Sequence, residues 1–253
     1  MKITHLRNAT SIIEYANKKF LIDPMLGEKG SFPPFPNSPR QELNNPLVEL
    51  PMSTDQIIQN IDAIIVTHLH LDHFDETAQS ILPKDLPMIA QNEEDAIEIR
   101  NVGFKNVYTL NEFNLFSEID IIGVEGQHGH GDMATMAGTV SGIIFKNEKE
   151  KTLYIAGDTV WYEGVEKNIN THQPDVIIVN GGDNQFYEGG SLVMCEEDIH
   201  KLKKHSPNSE IVVVHMEAVN HWNLSRKDLK EYLKKEQLFN NITIPEDGEV
   251  LNF

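Results

Sequence analysis

Short apolar runs, separated by polar and glycine-rich turns, recur along most of the chain. Several are continuous stretches rich in isoleucine and valine, such as residues 63–66 and 176–179, which are typical of strands covered on both faces. Eleven segments are predicted as strands: residues 2–6, 11–15, 19–22, 63–67, 88–90, 106–109, 119–124, 140–145, 152–156, 176–180 and 211–215.

Four segments have helical character: residues 76–81, 93–102, 196–205 and 225–236. In the last of these, Ser225 stands three residues before Asp228, an imperfect capping box. Leu229, Tyr232 and Leu233 then form one apolar stripe. Because strands and helices interleave along the chain, the sequence favours a layered α/β fold over an all-β sandwich.

A proline-rich stretch, residues 27–51, interrupts this alternation. It contains prolines at positions 33, 34, 36, 39, 46 and 51, whose fixed φ angles and missing N–H donors disfavour both helix and central strand. Since strand-like sequence lies on both sides, we expect a long ordered loop over one face of a single domain spanning residues 1–253. A linker between two domains is the less favoured alternative.

Composition narrows the classes of function. With 21 Lys and Arg against 39 Asp and Glu, the formal net charge is −18, which argues against a nucleic-acid binder and against attraction to anionic lipids. The single cysteine, Cys195, excludes a disulfide framework and a thiolate-rich zinc site. The N-terminus lacks the apolar run of a signal peptide, and no apolar run is long enough for membrane insertion. We therefore expect a cytoplasmic protein that acts on a small molecule; the sequence leaves a homo-oligomer open.

Three histidines and an aspartate directly follow one predicted strand: His68, His70, Asp72 and His73. Imidazole and carboxylate are preferred ligands of Zn²⁺, and they also suit Mn²⁺ or Fe²⁺. Alternate side chains of an extended segment share one face, so His68 and His70 are predicted to hold one ion together. Asp72 and His73 lie where the chain turns and can reach a second position. Two ions need more ligands than these four.

Further candidates each lie at or just past the end of a predicted strand: His128, His130, Asp158, His215 and His221. Side chains at the exits of several strands can converge on one edge of a sheet. We favour His215 over His221 as the last ligand because His215 stands at the strand end. Both residues remain candidates.

The remaining histidines have a plainer interpretation. His5, His172, His200 and His205 are expected to be surface or ordinary core residues. Asp75 is expected to orient an imidazole from outside the ligand set.

Several loop residues are candidates for contact with a substrate. His130 is expected either to contact substrate or to be an ordinary loop residue, and Asn184 and Tyr187 are open in the same way. Asp183 follows a predicted strand and is a candidate for the rim of the site. Cys195, at a predicted helix start, is interpreted as a packing residue.

The segment Thr67 to His73 resembles the HxHxDH signature of the metallo-β-lactamase superfamily. The later single histidine, and the Gly-Asp-Thr of residues 157–159 after a strand, follow the order found in that family. The resemblance spans nearly the whole chain.

Within the superfamily, the chain most resembles the branch containing L-ascorbate-6-phosphate lactonase and N-acylphosphatidylethanolamine-hydrolysing phospholipase D. The features that carry this finer resemblance are the early hairpin ending in residues 20–24, the Gln127-His128 pair and a final strand ending in histidine.

The resemblance implies a four-layer αβ/βα sandwich of two facing mixed sheets with helices outside. It also implies a ligand set for two metal ions: His68, His70 and His128 for the first, Asp72, His73 and His215 for the second, and Asp158 bridging both. The additional His221 after His215 departs from the pattern and leaves the last ligand open.

These features predict an enzyme, a dinuclear metal-dependent hydrolase. Two divalent ions that share a water lower its pKa and supply hydroxide near neutral pH, so we expect cleavage of a small ester, lactone or phosphoester. Asp72, Asp158 and His130 are the predicted catalytic residues. Two divalent cations are the expected cofactors, with Zn²⁺ favoured over Mn²⁺ or Fe²⁺.

The acidic chain suggests a small, anionic substrate that is held by the ions and by nearby donors. Three alternatives remain. They are a phosphodiesterase or nuclease-type hydrolase, an iron-dependent oxidoreductase on the same fold, and a metal-binding protein without catalysis.

Overall fold

The computed structural model describes residues 1–253, and its strands form two sheets. Numbered in chain order, the strands are β1 Lys2–Arg7, β2 Thr10–Tyr15, β3 Lys18–Ile22, β4 Ala63–Val66, β5 Met88–Ala90, β6 Val107–Thr109, β7 Asp120–Glu125, β8 Ser141–Lys146, β9 Leu153–Ile155, β10 Val176–Asn180, β11 Glu210–Val214, β12 Ile242–Thr243 and β13 Val250–Asn252.

The helices are short. They are α1 Thr54–Ile58, α2 Glu76–Ile81, α3 Glu93–Asn101, α4 Asp132–Ala137, α5 Glu163–His172, α6 Glu196–His205 and α7 Arg226–Lys235. None of them has the length and apolar character needed to cross a bilayer.

Both sheets are mixed. The first has the strand order β13-β1-β2-β3-β4-β5-β6, antiparallel from β13 to β3 and parallel from β3 to β6. The second has the order β12-β11-β10-β9-β8-β7, parallel from β12 to β9 and antiparallel from β9 to β7.

Alternate side chains of the strands meet between the two sheets. Phe20 and Ile22 of β3 share one apolar cluster with Phe145 of β8 and Val212 of β11. The rings of Phe20 and Phe145 lie edge to face, with centroids 5.1 Å apart. Because side chains alternate along a strand, the intervening residues face outward and need a second cover.

Helices supply that cover on both outer faces. Leu21 and Ile64 of the first sheet pack with α1, α2 and α3, where Ile57 and Ile99 are buried. Ile177 of the second sheet packs with α5, α6 and α7. The order of layers is helix, sheet, sheet, helix, so the four-layer αβ/βα sandwich is confirmed.

All eleven predicted strands and all four predicted helices are present, with ends that differ by at most one residue. The structure adds α1, α4, α5, β12 and β13. Helix α5 escapes prediction because its cap residue Tyr162 makes no side-chain cap hydrogen bond and Gly164 weakens its first turn. Helix α4 begins after Gly131 and ends before Gly138, and both glycines have positive φ.

Residues 27–51 form the predicted long loop, with no helix or strand and one isolated bridge between Phe32 and Asn45. The buried guanidinium of Arg7 donates hydrogen bonds to the carbonyl oxygens of Met25, Gly27 and Val48 at 2.7, 2.9 and 3.0 Å. These bonds hold both ends of the loop against the first sheet.

Candidate metal centre

Strand ends from both sheets meet at one edge of the sandwich. His68 follows β4, His128 follows β7, Asp158 follows β9 and His215 follows β11. In the second sheet β7, β9 and β11 run in the same direction, so their carboxyl ends share this edge. The turn into Asp158 requires Gly157, which has φ +69° and whose added Cβ would lie 2.8 Å from a backbone oxygen.

The seven predicted ligands fall into three overlapping groups: His68, His70 and His128; His68, His73 and Asp158; and Asp72, His73 and His215. Within each group the potential ligand atoms lie within 4.8 Å of one another. Asp158 is central. Its Oδ2 lies 3.3 Å from Nε2 of His73 and 3.5 Å from Nε2 of His128, and its Oδ1 lies 3.6 Å from Nε2 of His215.

Two acceptors outside this set orient the imidazoles. Asp23 accepts a hydrogen bond from Nδ1 of His73 at 2.9 Å and is itself held by the backbone N–H and the hydroxyl of Thr67, at 2.7 and 2.8 Å. The carbonyl oxygen of Leu192 accepts from Nδ1 of His128 at 2.9 Å. With the proton on Nδ1, each ring presents the lone pair of Nε2 to the cluster, as a metal ligand must.

Two asparagines orient the carboxylates. The amide of Asn8 donates to Oδ2 of Asp72 at 3.2 Å, and the amide of Asn180 donates to Oδ1 of Asp158 at 2.5 Å. Neither Asn8, Asn180 nor Asp23 was among the predicted site residues. Their position is the available signal, since Asp23 directly follows β3 and Asn180 ends β10.

The expected role of Asp75 is wrong. Its Oδ1 accepts from the backbone N–H of Ala78 at 2.7 Å and caps α2, while its Oδ2 accepts from the backbone N–H of Gly27 at 2.6 Å. Both oxygens are therefore used in the backbone structure of the turn. The carboxylate that orients an imidazole is Asp23 instead.

The cluster stabilises positive charge at its centre. Burial alone would lower the pKa of His73, but the carboxylates of Asp158 and Asp23 outweigh it and raise the pKa well above its usual range. Burial would raise the pKa of Asp158, but His73 and His215 hold it well below its usual range. For His68, burial and the neighbouring His73 both lower the pKa well below its usual range, which favours the neutral imidazole.

This donor set suits divalent cations. Neutral imidazoles and ionised carboxylates are the forms that bind a metal. The Nε2 atoms of His73 and His215 lie only 3.3 Å apart. The carboxylates that raise the pKa of both rings favour positive charge at this point, and a bound cation would supply that charge in place of a proton. A mixed nitrogen and oxygen set fits Zn²⁺, Mn²⁺ or Fe²⁺.

A cavity of about 290 Å³ opens onto the cluster. Four of the predicted ligands and His221 form its polar part: His70, Asp72, His128, Asp158 and His221. Six apolar side chains form the rest: Phe35, Met133, Met136, Ala137, Phe186 and Leu192. No lysine or arginine lines the cavity, and none of the three candidate donors for an anionic substrate, His130, Asn184 and Tyr187, belongs to its wall.

The structure separates the two candidates for the last ligand. Nε2 of His215 lies 3.2 Å from Oδ2 of Asp72, within the cluster. His221 lies in the cavity wall, its Nε2 3.4 Å from the side-chain nitrogen of Asn184, and belongs to none of the three groups. The geometry therefore favours His215.

The other candidate contact residues are dispersed. His130 and Tyr187 are exposed and are not part of the cavity wall. Asp183 is buried and accepts hydrogen bonds from the side chains of Gln185, Ser191 and Asn223, which makes it an anchor of its loop. Asn184 is buried beside His221.

Cys195 and the remaining histidines lie outside the cluster. Burial raises the pKa of the Cys195 thiol to about 12, so the thiolate nucleophile is disfavoured. His5 is fully buried near Asp247, and His200 lies beside the hydroxyl of Tyr232 in the outer helical layer. The half-buried His172 and His205 lie on α5 and α6.

Comparison with known proteins gives a family match. The model of the beta-lactamase superfamily domain matches residues 18–216. The UPF0173 protein YddR of Bacillus subtilis is 53% identical over the full length of both chains.

Two crystal structures share the whole fold. An isothiocyanate hydrolase from Delia radicum gut bacteria is 39% identical with a TM-score of 0.96, and the match covers 100% of this chain and 99% of that one. A possible metal-dependent hydrolase from Veillonella parvula is 37% identical, with the same TM-score and the same coverage. The superfamily resemblance found in the sequence is confirmed, and the finer branch resemblance stays a prediction.

Proposed function

We propose that this chain, which belongs to the beta-lactamase superfamily, is a metal-dependent hydrolase of small uncharged electrophiles that carry an apolar substituent. Isothiocyanates are the substrate class we favour. The observation that carries this proposal is the cavity, in which a buried histidine–aspartate cluster meets a wall of six apolar side chains without a lysine or arginine.

We propose the ligand set for two cations that the superfamily resemblance implies, with His215 as the last ligand: His68, His70 and His128; Asp72, His73 and His215; and Asp158 between them. When bound, the cations would lower the pKa of a shared water and supply a nucleophile near neutral pH. Asp23 and Leu192 keep the imidazoles in the tautomer that ligation needs. Zn²⁺ is the favoured ion, with Mn²⁺ or Fe²⁺ as alternatives.

The apolar wall favours one kind of substrate. Phe35, Phe186 and Leu192 would bind a hydrocarbon substituent by removing it from water. The central carbon of an isothiocyanate is electrophilic and the group carries no charge, so it needs no cationic side chain. The solved isothiocyanate hydrolase of 39% identity supports this choice.

An anionic ester or phosphoester would make different demands. Without lysine or arginine in the wall, such a substrate would depend on the cations alone for charge compensation. Neutral esters and lactones fit the same wall as isothiocyanates and are the closest alternative.

Residues 1–253 are proposed to act as one domain, since one apolar cluster takes side chains from both sheets.

The test is a substrate panel on protein loaded with Zn²⁺ or Mn²⁺. The panel contains methyl, allyl and benzyl isothiocyanate, a neutral ester, a lactone and a phosphodiester, with Asp158→Ala as the inactive control. We expect hydrolysis of isothiocyanates, with kcat/KM rising from methyl to benzyl. Preference for the phosphodiester, or activity that survives Asp158→Ala, would overturn the proposal.

Metal analysis of the same preparations tests the alternative chemistry. Protein purified with iron alone that consumes dioxygen would favour the oxidoreductase predicted as an alternative. Two equivalents of redox-inactive metal in the active protein would favour the hydrolase.

A further inference from the structure

One aromatic side chain in the cavity wall comes from the long loop of residues 27–51. Of the 11 lining residues, Phe35 is the one that belongs to this loop. Its side chain is half-buried, so part of the ring surface is open to a ligand in the cavity. Because the loop contains no helix or strand, no regular ladder of backbone hydrogen bonds fixes this ring. Its position in the wall depends on other contacts.

Asn220 supplies the main contacts of this part of the loop. Its side-chain oxygen accepts a hydrogen bond from the backbone N–H of Phe35 at 2.8 Å. Its side-chain nitrogen donates to the hydroxyl of Ser38 at 2.8 Å and to the carbonyl oxygen of Pro39 at 2.7 Å. Asn220 is fully buried, so breaking these bonds would leave polar atoms without partners away from water. This amide therefore fixes the backbone that carries the Phe35 ring.

A second fully buried asparagine, Asn45, binds Asn220 from further along the same loop. The side-chain nitrogen of Asn45 donates to Oδ1 of Asn220 at 3.0 Å, and its Oδ1 accepts from the backbone N–H of Asn220 at 2.7 Å. Asn220 thus holds the loop at Phe35 and again at Asn45. We refer to Asn45 and Asn220 together as the asparagine clamp.

Arg40, between these two points of the loop, binds the same segment. Its Nη1 donates to the carbonyl oxygens of Asn220 and Trp222 at 3.1 and 2.7 Å. Its guanidinium lies over the ring of Trp222, 3.8 Å from the ring centroid. These contacts attach the loop on both sides of His221, which is itself a wall residue.

Phe35 belongs to a group of three aromatic rings in the wall. It meets His221 edge to face with ring centroids 4.7 Å apart, and His221 stacks on Phe186 with centroids 5.9 Å apart. His221 is buried, whereas Phe35 and Phe186 are half-buried. The two phenylalanine rings are therefore the main aromatic surface that a substituent can contact, and the asparagine clamp sets the position of one of them.

We propose that Phe35 is the residue that determines the preference of the cavity for large substituents, and that Asn45 and Asn220 are its positioning residues. This inference rests on the proposed function. A benzyl substituent gains contact with the Phe35 ring only while the ring is held in the wall, and a methyl group has little surface to contact it. The asparagine clamp therefore sets the ratio of kcat/KM for large and small substrates and leaves the chemical step unchanged.

The first experiment measures kcat/KM for benzyl and methyl isothiocyanate in Phe35→Ala and Asn220→Ala. Asn44→Ala is the matched control, since Asn44 is exposed and adjoins the clamp in sequence. We expect the benzyl-to-methyl ratio to fall by about ten-fold in Phe35→Ala and by about three-fold in Asn220→Ala. The fall should come from KM for the benzyl substrate, and kcat and metal content should stay at their wild-type values. The control should match the wild type.

This ratio distinguishes positioning from a general structural role. A smaller fraction of folded protein would lower both kcat/KM values equally and leave their ratio unchanged. An unchanged ratio in either Phe35→Ala or Asn220→Ala, in enzyme that hydrolyses isothiocyanates, would overturn the inference and leave the proposed function intact.

The double variant Phe35→Ala/Asn220→Ala shows whether the clamp acts through the ring. We expect its ratio to equal that of Phe35→Ala alone, because no ring remains to be positioned. A further fall as large as that of Asn220→Ala would contradict the positioning role. If Asn220→Ala does not fold, Arg40→Met replaces it in both comparisons, with an expected fall of about two-fold. Arg40 is only half-buried, and an unchanged ratio in its variant counts against the inference in the same way.

A binding experiment separates this inference from the substrate assignment. N-benzylformamide is a neutral probe with an aromatic tail, and its Kd can be measured calorimetrically on the metal-loaded protein. We expect binding about ten-fold weaker in Phe35→Ala than in the wild type, and unchanged binding in Asn44→Ala. If this pattern is found in protein that hydrolyses no isothiocyanate, the proposed function fails and the role of Phe35 stands. Equal binding by the wild type and Phe35→Ala, or none by the wild type, overturns the inference.

Discussion

The cavity has two halves that are built differently. In the metal-centre half, the proposed ligands lie at or just past strand ends, and all but the half-buried His70 are buried. Asp23 orients His73 and Asn180 orients Asp158 through hydrogen bonds. In the apolar half, Phe35 comes from a long loop and Met133 and Met136 from α4. That helix buries none of its residues, and Met136 is 77% exposed.

This difference separates reactivity from specificity. Metal ligands must keep fixed positions, which the ends of central strands provide. A wall of methionines on a thinly supported helix can adapt to substituents of different shape. Changes in the first half should therefore abolish activity, and changes in the second should alter which substrates are used.

The largest effect is expected from Asp158→Ala, because this carboxylate lies within 4 Å of four imidazoles. Activity should fall by about 10³-fold or more, and metal content should fall to one ion or none. Elemental analysis and kcat/KM test this, with the exposed Asp120→Ala as control. Unchanged metal stoichiometry would remove Asp158 from the bridging position.

Asp23→Asn should have a smaller effect on the same half. The amide can no longer hold the proton of His73 Nδ1 as a carboxylate does, so metal affinity should fall by about 10- to 100-fold. Competition with a chromogenic chelator measures it. Asp62→Asn is the matched control, since Asp62 binds Lys18 and Lys19 at the other end of β3. A similar loss of metal affinity in both variants would mean that the substitutions disturb strand β3 as a whole and not the orientation of His73.

In the apolar half, Met133→Ala combined with Met136→Ala should raise KM for benzyl isothiocyanate by about three- to ten-fold, because roughly two side chains of apolar contact are lost. Methyl isothiocyanate should be little affected, and metal content should not change. Ile97→Ala, a truncation of an exposed side chain on α3, is the control. An equal change for both substrates would contradict the division of the cavity.

The smallest effect concerns stability and pH. Burial lowers the pKa of His221 to about 4 in the folded protein, whereas a solvent-exposed histidine in the unfolded chain has a pKa of 6.5. Between these values only the unfolded chain binds the proton, so stability falls as pH drops from 6.5 towards 4. Protonation of this one histidine in the unfolded chain should lower the free energy of unfolding by about 2–3 kcal/mol. Other buried histidines with lowered pKa values, His5, His68 and His70, destabilise both proteins at low pH. Urea unfolding of metal-free protein at pH 7 and pH 4.5 should therefore show a larger loss of stability in the wild type than in His221→Phe. Equal losses in both would mean that the pKa of His221 is not lowered in the folded protein.

Much of the proposed metal centre was predictable from the sequence. A strand that runs into His68, His70, Asp72 and His73 leaves little alternative, and the other ligands follow strands whose apolar runs are unmistakable. Asp23 and Asn8 were missed because a single polar residue after a strand or in a tight turn is ordinary. Asp75 was misassigned because its closeness in sequence to His73 suggested a contact with an imidazole. Its carboxylate instead caps the N-terminus of α2.

The sequence by itself determined the strands, the helices and the candidate metal-binding residues, because alternation of side chains and runs of metal-binding residues are local properties. The four-layer arrangement and the division of the candidates between two ions were expected from the resemblance to the superfamily. Only the tertiary structure decided the neighbours of those residues. It placed His215 within the cluster and His221 beside Asn184. It also brought Phe35 from the long loop to a cavity whose wall contains no lysine or arginine. Such contacts join residues far apart in the chain, and no local pattern specifies which of them meet.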